Sequence, residues 1–174
     1  MTWPSQIASR FKIVNPNTTD ESEYFGPYNS LLHHLFPYLD GYQVNPQYKG
    51  PASAPISHPT TFVVTRFREK GEETPLLFID VQARYVGRYP TTRSAVDAQM
   101  RNRFRMLGSL VEIPCLYGIS AIGTRICIYK YSKEKNRLEP RPTPPSDDIT
   151  TPEGEAAIRL LAEDVKEMSD ALDI

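Results

Sequence analysis

The chain has 174 residues, 40% apolar and 24% charged, with a net charge of −1. That length suits one domain with a buried core, and the balanced composition excludes global disorder or a uniformly basic coat. A single domain over 1–174 is therefore expected, with any electrostatic function confined to local patches.

Cys115 and Cys127 are the two cysteines and lack CxxC spacing, so buried thiols are expected in place of a disulfide or zinc framework. The opening MTWPSQIASRFKIV has no apolar run after a basic start, and no stretch holds 18 apolar residues in succession. No leader and no membrane span are expected, and the expected location is intracellular, in cytoplasm or nucleus.

In chain order, the polar stretch Asn15 to Ser22 offers Asp20 or Ser22 as a helix N-cap. Phe25, Tyr28, Leu32, Leu35 and Phe36 then recur at helical spacing, with Pro27 early enough to be harmless and Pro37 as a stop. From Tyr38 to Pro59 the abundance of Pro, Gly, Asn and Tyr predicts a long loop with a short strand near Tyr42–Val44. Phe62–Phe67 and Leu76–Ala83 read as a hairpin across Arg68–Pro75. Ala95, Gln99, Met100, Phe104, Leu107 and Leu110 trace a second helix, and Cys115–Ile122 with Arg125–Tyr131 a second hairpin across Gly123 and Thr124. In that hairpin Ile126, Ile128 and Lys130 share one face and Cys127, Tyr129 and Tyr131 the other.

Residues 132–151, with Pro140, Pro142, Pro144 and Pro145, predict an extended connection. A C-terminal helix over 152–172 follows, capped by Thr151, with an apolar stripe at Ile158, Leu161, Val165, Met168 and Leu172. The fold class expected is α/β: a mixed sheet flanked by helices, with this last helix added.

The chemistry-bearing segment is LLFIDVQA, where alternation puts Leu77, Ile79, Val81 and Ala83 on one face and Leu76, Phe78, Asp80 and Gln82 on the other. Apolar neighbours on both faces mark a central strand. A carboxylate there is costly without a cation or hydrogen-bond donors, so a metal ion or a basic partner is expected for Asp80.

This order resembles the PD-(D/E)XK (restriction endonuclease-like) superfamily: Glu21 or Glu23 at the first helix, FVVTRF, LLFIDVQA, then a helix beginning SAVDAQMRNRF. The resemblance covers about 20–131. More narrowly, EYFGPYNSLLHHLFP, AQMRNRF and YGISAIGTRICIYKY are similar to a group of fungal, mainly mushroom, proteins that carry no transferable activity. The superfamily resemblance implies carboxylates holding Mg²⁺ or Mn²⁺ for phosphodiester hydrolysis. It assigns Asp80 as the main ligand, Glu23 or else Glu21 as the second carboxylate, and Gln82 as the residue orienting water.

Two departures stand out. The preceding strand lacks an acid, its stretch offering Ser57 and His58, and Gln82 stands where a Lys is usual, without its positive charge. Gln99 has the place of the Gln in a QxxxY pattern, but Arg103 stands where the aromatic belongs, so an ordinary helix residue is expected. His33 and His34 are adjacent on a helix and point apart, which argues against a joint metal site.

Arg84, Arg88, Arg93, Arg101, Arg103 and Arg105 fall within 22 residues holding one acid, Asp97. A basic surface able to contact nucleic-acid phosphate is expected, with Arg84, Arg88, Arg101, Arg103 and Arg105 as its contacts. From Asp147 to Asp173 nine acidic residues face two basic ones, so the last helix is acidic and is expected to dock on its own domain, its acids outward or toward the arginines. Two functional readings stand: a divalent-metal-dependent nuclease or nucleic-acid binder with a degenerate site, and a catalytically inactive protein-interaction module, with a homodimer through the C-terminal helix as one variant.

Overall fold

The computed structural model describes residues 2–50, 60–68, 71, 73–84, 90–139 and 147–173. Its centre is a seven-stranded mixed sheet, built from β1 (Tyr42–Tyr48), β2 (Thr60–Phe67), β3 (Glu73–Gln82), β4 (Cys115–Ile122) and β5 (Arg125–Ser132), with β6 (Arg137–Glu139) and β7 (Asp147–Asp148) pairing opposite ends of β5. The order is β1-β2-β3-β4-β5-β6. Every pairing is antiparallel except β3 with β4, because α3 (Pro90–Gly108) carries the chain back across the sheet between them. The α/β class expected from the sequence is what the chain adopts, and no described helix is long and apolar enough to cross a membrane.

The alternation read in β3 separates two layers. On one face Leu77 and Ile79, with Ile119 of β4, meet Tyr28, Leu31, Leu32 and Leu35 of α2 (Phe25–Leu35) and Ile158, Leu161 and Ala162 of α4 (Pro152–Asp170). The void left there is about 10 Å³, too small and too apolar for a ligand. On the other face Phe78 meets Phe104 of α3 edge to face at 4.8 Å, and Phe104 continues to Tyr129 of β5 at 6.2 Å. Gly118 of β4 makes this stack possible, since a Cβ there would lie 2.5 Å from Phe78 Cζ and 2.8 Å from Phe104 Cζ. Gly118→Val is expected to cost about 1–3 kcal/mol by overpacking. Gly108→Ala, with open space around its Cβ, serves as the control, and equal urea midpoints for the two would contradict this packing.

Some expectations need correction. An unexpected helix, α1 (Ser5–Ile13), packs Phe11 edge to face on Tyr28 at 5.0 Å, and Trp3 just before it donates its indole N–H to the Ile149 carbonyl at 2.7 Å. The short strand expected near Tyr42–Val44 runs on to Tyr48, because the Tyr42↔Arg66 to Tyr48↔Thr60 register gives its backbone partners. Residues Arg137–Glu139 and Asp147–Asp148 of the expected connection pair with β5, and its four prolines lie outside the described residues.

The C-terminal helix docks on its own chain as expected: Thr151 Oγ1 accepts the Gly154 N–H, Pro152 opens the first turn, and Ile158, Leu161 and Val165 are buried. It lies on the sheet face opposite α3, so its acids do not cover the α3 arginines. They pair instead with Arg66 (Asp170, 3.0 Å), Arg159 (Glu155, 2.8 Å) and Lys130 (Asp164, 3.5 Å).

Candidate functional site

Asp80 sits in β3 between antiparallel β2 and parallel β4, opposite Ser120, and is 3% exposed. Its Oδ1 accepts the Thr61 backbone N–H at 3.2 Å. Its Oδ2 accepts from Gln99 Nε2 at 3.2 Å and from Arg103 Nε at 3.1 Å. Thr61 also accepts the Val81 N–H on its Oγ1 at 3.1 Å, pinning β2 to β3 at this point. The carboxylate is thus inside the protein with both oxygens engaged and a guanidinium against it, the Arg103 side chain being as buried as its partner.

Helical periodicity explains why Arg103 is here. Gln99 and Arg103 are four residues apart, share one side of α3, and both reach Asp80. Arg101 and Arg105 form another row, turned about 200° from Arg103 by the two-residue offset. Arg103, expected among the phosphate contacts on the surface, is corrected to a buried partner of Asp80. Gln99, expected to be an ordinary helix residue, is corrected to a donor to the carboxylate. Asp80 and Gln82 share a face as expected, but α3 covers that face, whereas the first predicted helix, now α2, covers the opposite one.

The remaining candidates scatter. Glu23 is exposed and accepts the Thr18 hydroxyl at 2.7 Å. Glu21, in the short 3-10 turn Glu21–Tyr24 capped by Asp20, has its carboxyl held above the usual range by partial desolvation first, then by the charges of Asp20 and Asp80. Gln82 is half-buried, and its carbonyl accepts the Gly123 N–H at 2.9 Å. Among the described residues no three His, Cys, Asp or Glu side chains gather as a metal site. His58, Ser57 and Arg88 lie outside the described residues.

Partial burial and the neighbouring acids disfavour ionised Glu21 in the folded chain. Its folded-state pKa is raised, so ionisation weakens the fold increasingly as pH rises from the unfolded value through the folded one. Glu21→Gln should therefore raise the urea midpoint at neutral pH and leave it unchanged below the ordinary carboxylate range. A gain of equal size at both pH values would rule out an electrostatic origin.

Of the other arginines, Arg84 and Arg105 are exposed and Arg93 is half-buried. Arg101 Nε pairs with Asp97 at 2.8 Å. Asp97, largely buried, also accepts the Tyr129 hydroxyl at 2.9 Å, and the Tyr129 hydroxyl is pushed far above its usual pKa by burial, then by Cys127 and Asp97. Arg101, Arg105 and Tyr131 line an open groove of about 530 Å³, with no carboxylate lining it among the described residues. No protein-family model, no curated protein and no solved structure matches this chain.

Proposed function

We propose that this chain is a catalytically silent, PD-(D/E)XK-like binding module, in which Arg103 supplies to Asp80 the positive charge that a divalent ion would otherwise bring. The observation that carries the reading is the buried Asp80–Arg103 pair at 3.1 Å. The fold supports the superfamily likeness by its order: helix, antiparallel meander ending on the Asp80-Val81-Gln82 strand, crossing helix, parallel strand.

The residues present do not fit Mg²⁺ or Mn²⁺. Such an ion needs oxygen ligands and room for water, whereas here it would have to displace a permanently charged guanidinium and the Gln99 and Thr61 donors. Glu23, the expected second ligand, is bonded to Thr18. Among the described residues the outer surface of α3 offers a ligand Arg105 and the half-buried Arg101 beside Tyr131, a surface suited to nucleic-acid phosphate.

Titration with Mn²⁺ followed by thermal unfolding, together with incubation with plasmid DNA and with RNA, tests the reading. Wild type and Asp80→Asn should show the same small response to metal and no cleavage, while Arg105→Glu should weaken oligonucleotide binding at low salt. Saturable Mn²⁺ binding or EDTA-sensitive cleavage, either of them lost in Asp80→Asn, would overturn it in favour of a metal-dependent nuclease, with Glu21 as the second carboxylate.

A further inference from the structure

On the face of the sheet away from α3, a groove of about 500 Å³ runs between α4 and the strands β4 and β5. Its floor is apolar, formed by Tyr117, Ile128, Ala157 and Leu160. Leu160 is 69% exposed, although the next residue, Leu161, is buried in the core. The fold therefore gains little from a leucine at position 160.

The rim is acidic, with Glu163, Asp164 and Glu167 along the same side of α4. Asp164 accepts the Tyr117 hydroxyl and pairs with Lys130 at 3.5 Å. No ion pair joins Glu163 or Glu167 to a cation among the described residues. These two stand four residues apart with like charge, which weakens a helix slightly. The helix's own cations are engaged elsewhere, Arg159 with Glu155 and over the Trp3 ring, Lys166 over Phe36. An exposed leucine and two carboxylates without an ion-pair partner among the described residues are thus side by side, and the packing of the fold explains neither.

We propose that this groove binds a basic amphipathic helix of a protein partner, its apolar side chains on Leu160 and Ile128 and its lysines or arginines against Glu163 and Glu167. Apolar burial supplies the affinity, and charge fixes orientation and partner choice. Charge also selects against the other occupants. A two-fold contact with a second copy would set Glu163 and Glu167 against their own counterparts, and nucleic acid or an anionic membrane would be repelled. The site lies across the sheet from Asp80 and Arg103, so it stands or fails independently of the reading proposed for them.

The test uses the full chain, ¹⁵N-labelled, with a synthetic leucine–lysine amphipathic helix about four turns long, and a leucine–glutamate peptide of the same pattern. Binding of the lysine peptide should shift amides around Ile128 and Leu160. Leu160→Ser should weaken it by at least about tenfold, and Glu163→Gln/Glu167→Gln should weaken it and flatten its salt dependence. Both sites are on the surface, so the variants should fold. Shifts on α3, no shifts, unchanged affinity in Leu160→Ser, or equal binding of the glutamate peptide would overturn the proposal. A concentration-dependent dimer dissolved by Leu160→Ser would overturn it in favour of a second copy.

Discussion

Arg103→Met is expected to destabilise the protein by about 3–5 kcal/mol, because it removes the cation and leaves the Asp80 carboxylate buried. In a chain of this length that corresponds to a fall in Tm of roughly 10 °C. The number comes from the stranded charge more than from the lost hydrogen bond. Methionine nearly fills the volume of the aliphatic stem, so little of the loss should be cavity formation. The double variant Asp80→Asn/Arg103→Met separates these contributions, since Asn removes the charge but still offers an oxygen to the Thr61 N–H, which now goes to Asp80 Oδ1. It should recover more than half of the loss in urea denaturation. A single-variant loss below about 1 kcal/mol, or a double variant no more stable than Arg103→Met, would show that the guanidinium is not what keeps Asp80 in the core.

How much of this was legible in the sequence follows from which periodicities local patterns carry. Strand parity correctly grouped Leu77, Ile79 and Val81 apart from Phe78, Asp80 and Gln82, and the β4–β5 hairpin turns at Gly123, whose φ of +62° favours glycine. Parity says which residues share a face but not which helix covers it, and nothing in the strand pattern singles out α3 as the helix over Asp80. The arginines were read as one basic cluster because they are close in sequence. On a helix, spacing of two sends neighbours to different sides, and the four-residue step from Gln99 to Arg103 was the available signal that these two act together. Trp3, Ile7 and Phe11 repeat every four residues and would have revealed α1, a stripe hidden among polar neighbours. The pairing of β6 and β7 with β5 had no such signal, since two- and three-residue strands are too short to show alternation. Thr61 as a donor to Asp80 was beyond reach for another reason: its backbone N–H has no sequence signature at all.

The other large expected effect distinguishes two adjacent leucines of α4. Leu161 is 5% exposed and lines the same small interior void as Leu32, Leu35, Ile79 and Ile158, whereas Leu160 is 69% exposed. Leu161→Ala should cost about 2–5 kcal/mol, combining lost apolar burial with the cavity left behind. Leu161→Asp should be worse, because among the described residues the one polar group on a side chain lining that space, the Tyr28 hydroxyl, is already given to the Gly123 carbonyl, and with total stabilities of about 5–15 kcal/mol it is expected to fold poorly or not at all. Leu160→Asp, one residue away, should stay within about 0.5 kcal/mol of wild type. Urea midpoints measured at two protein concentrations separate the docked helix from an intermolecular seam. For a helix packed on its own sheet the Leu161→Ala loss is independent of concentration, and for a seam between chains it grows with concentration until the variant is dimeric as well. Equal losses at positions 160 and 161 would place the wrong side of α4 against the sheet and with it undo the groove that Leu160 lines.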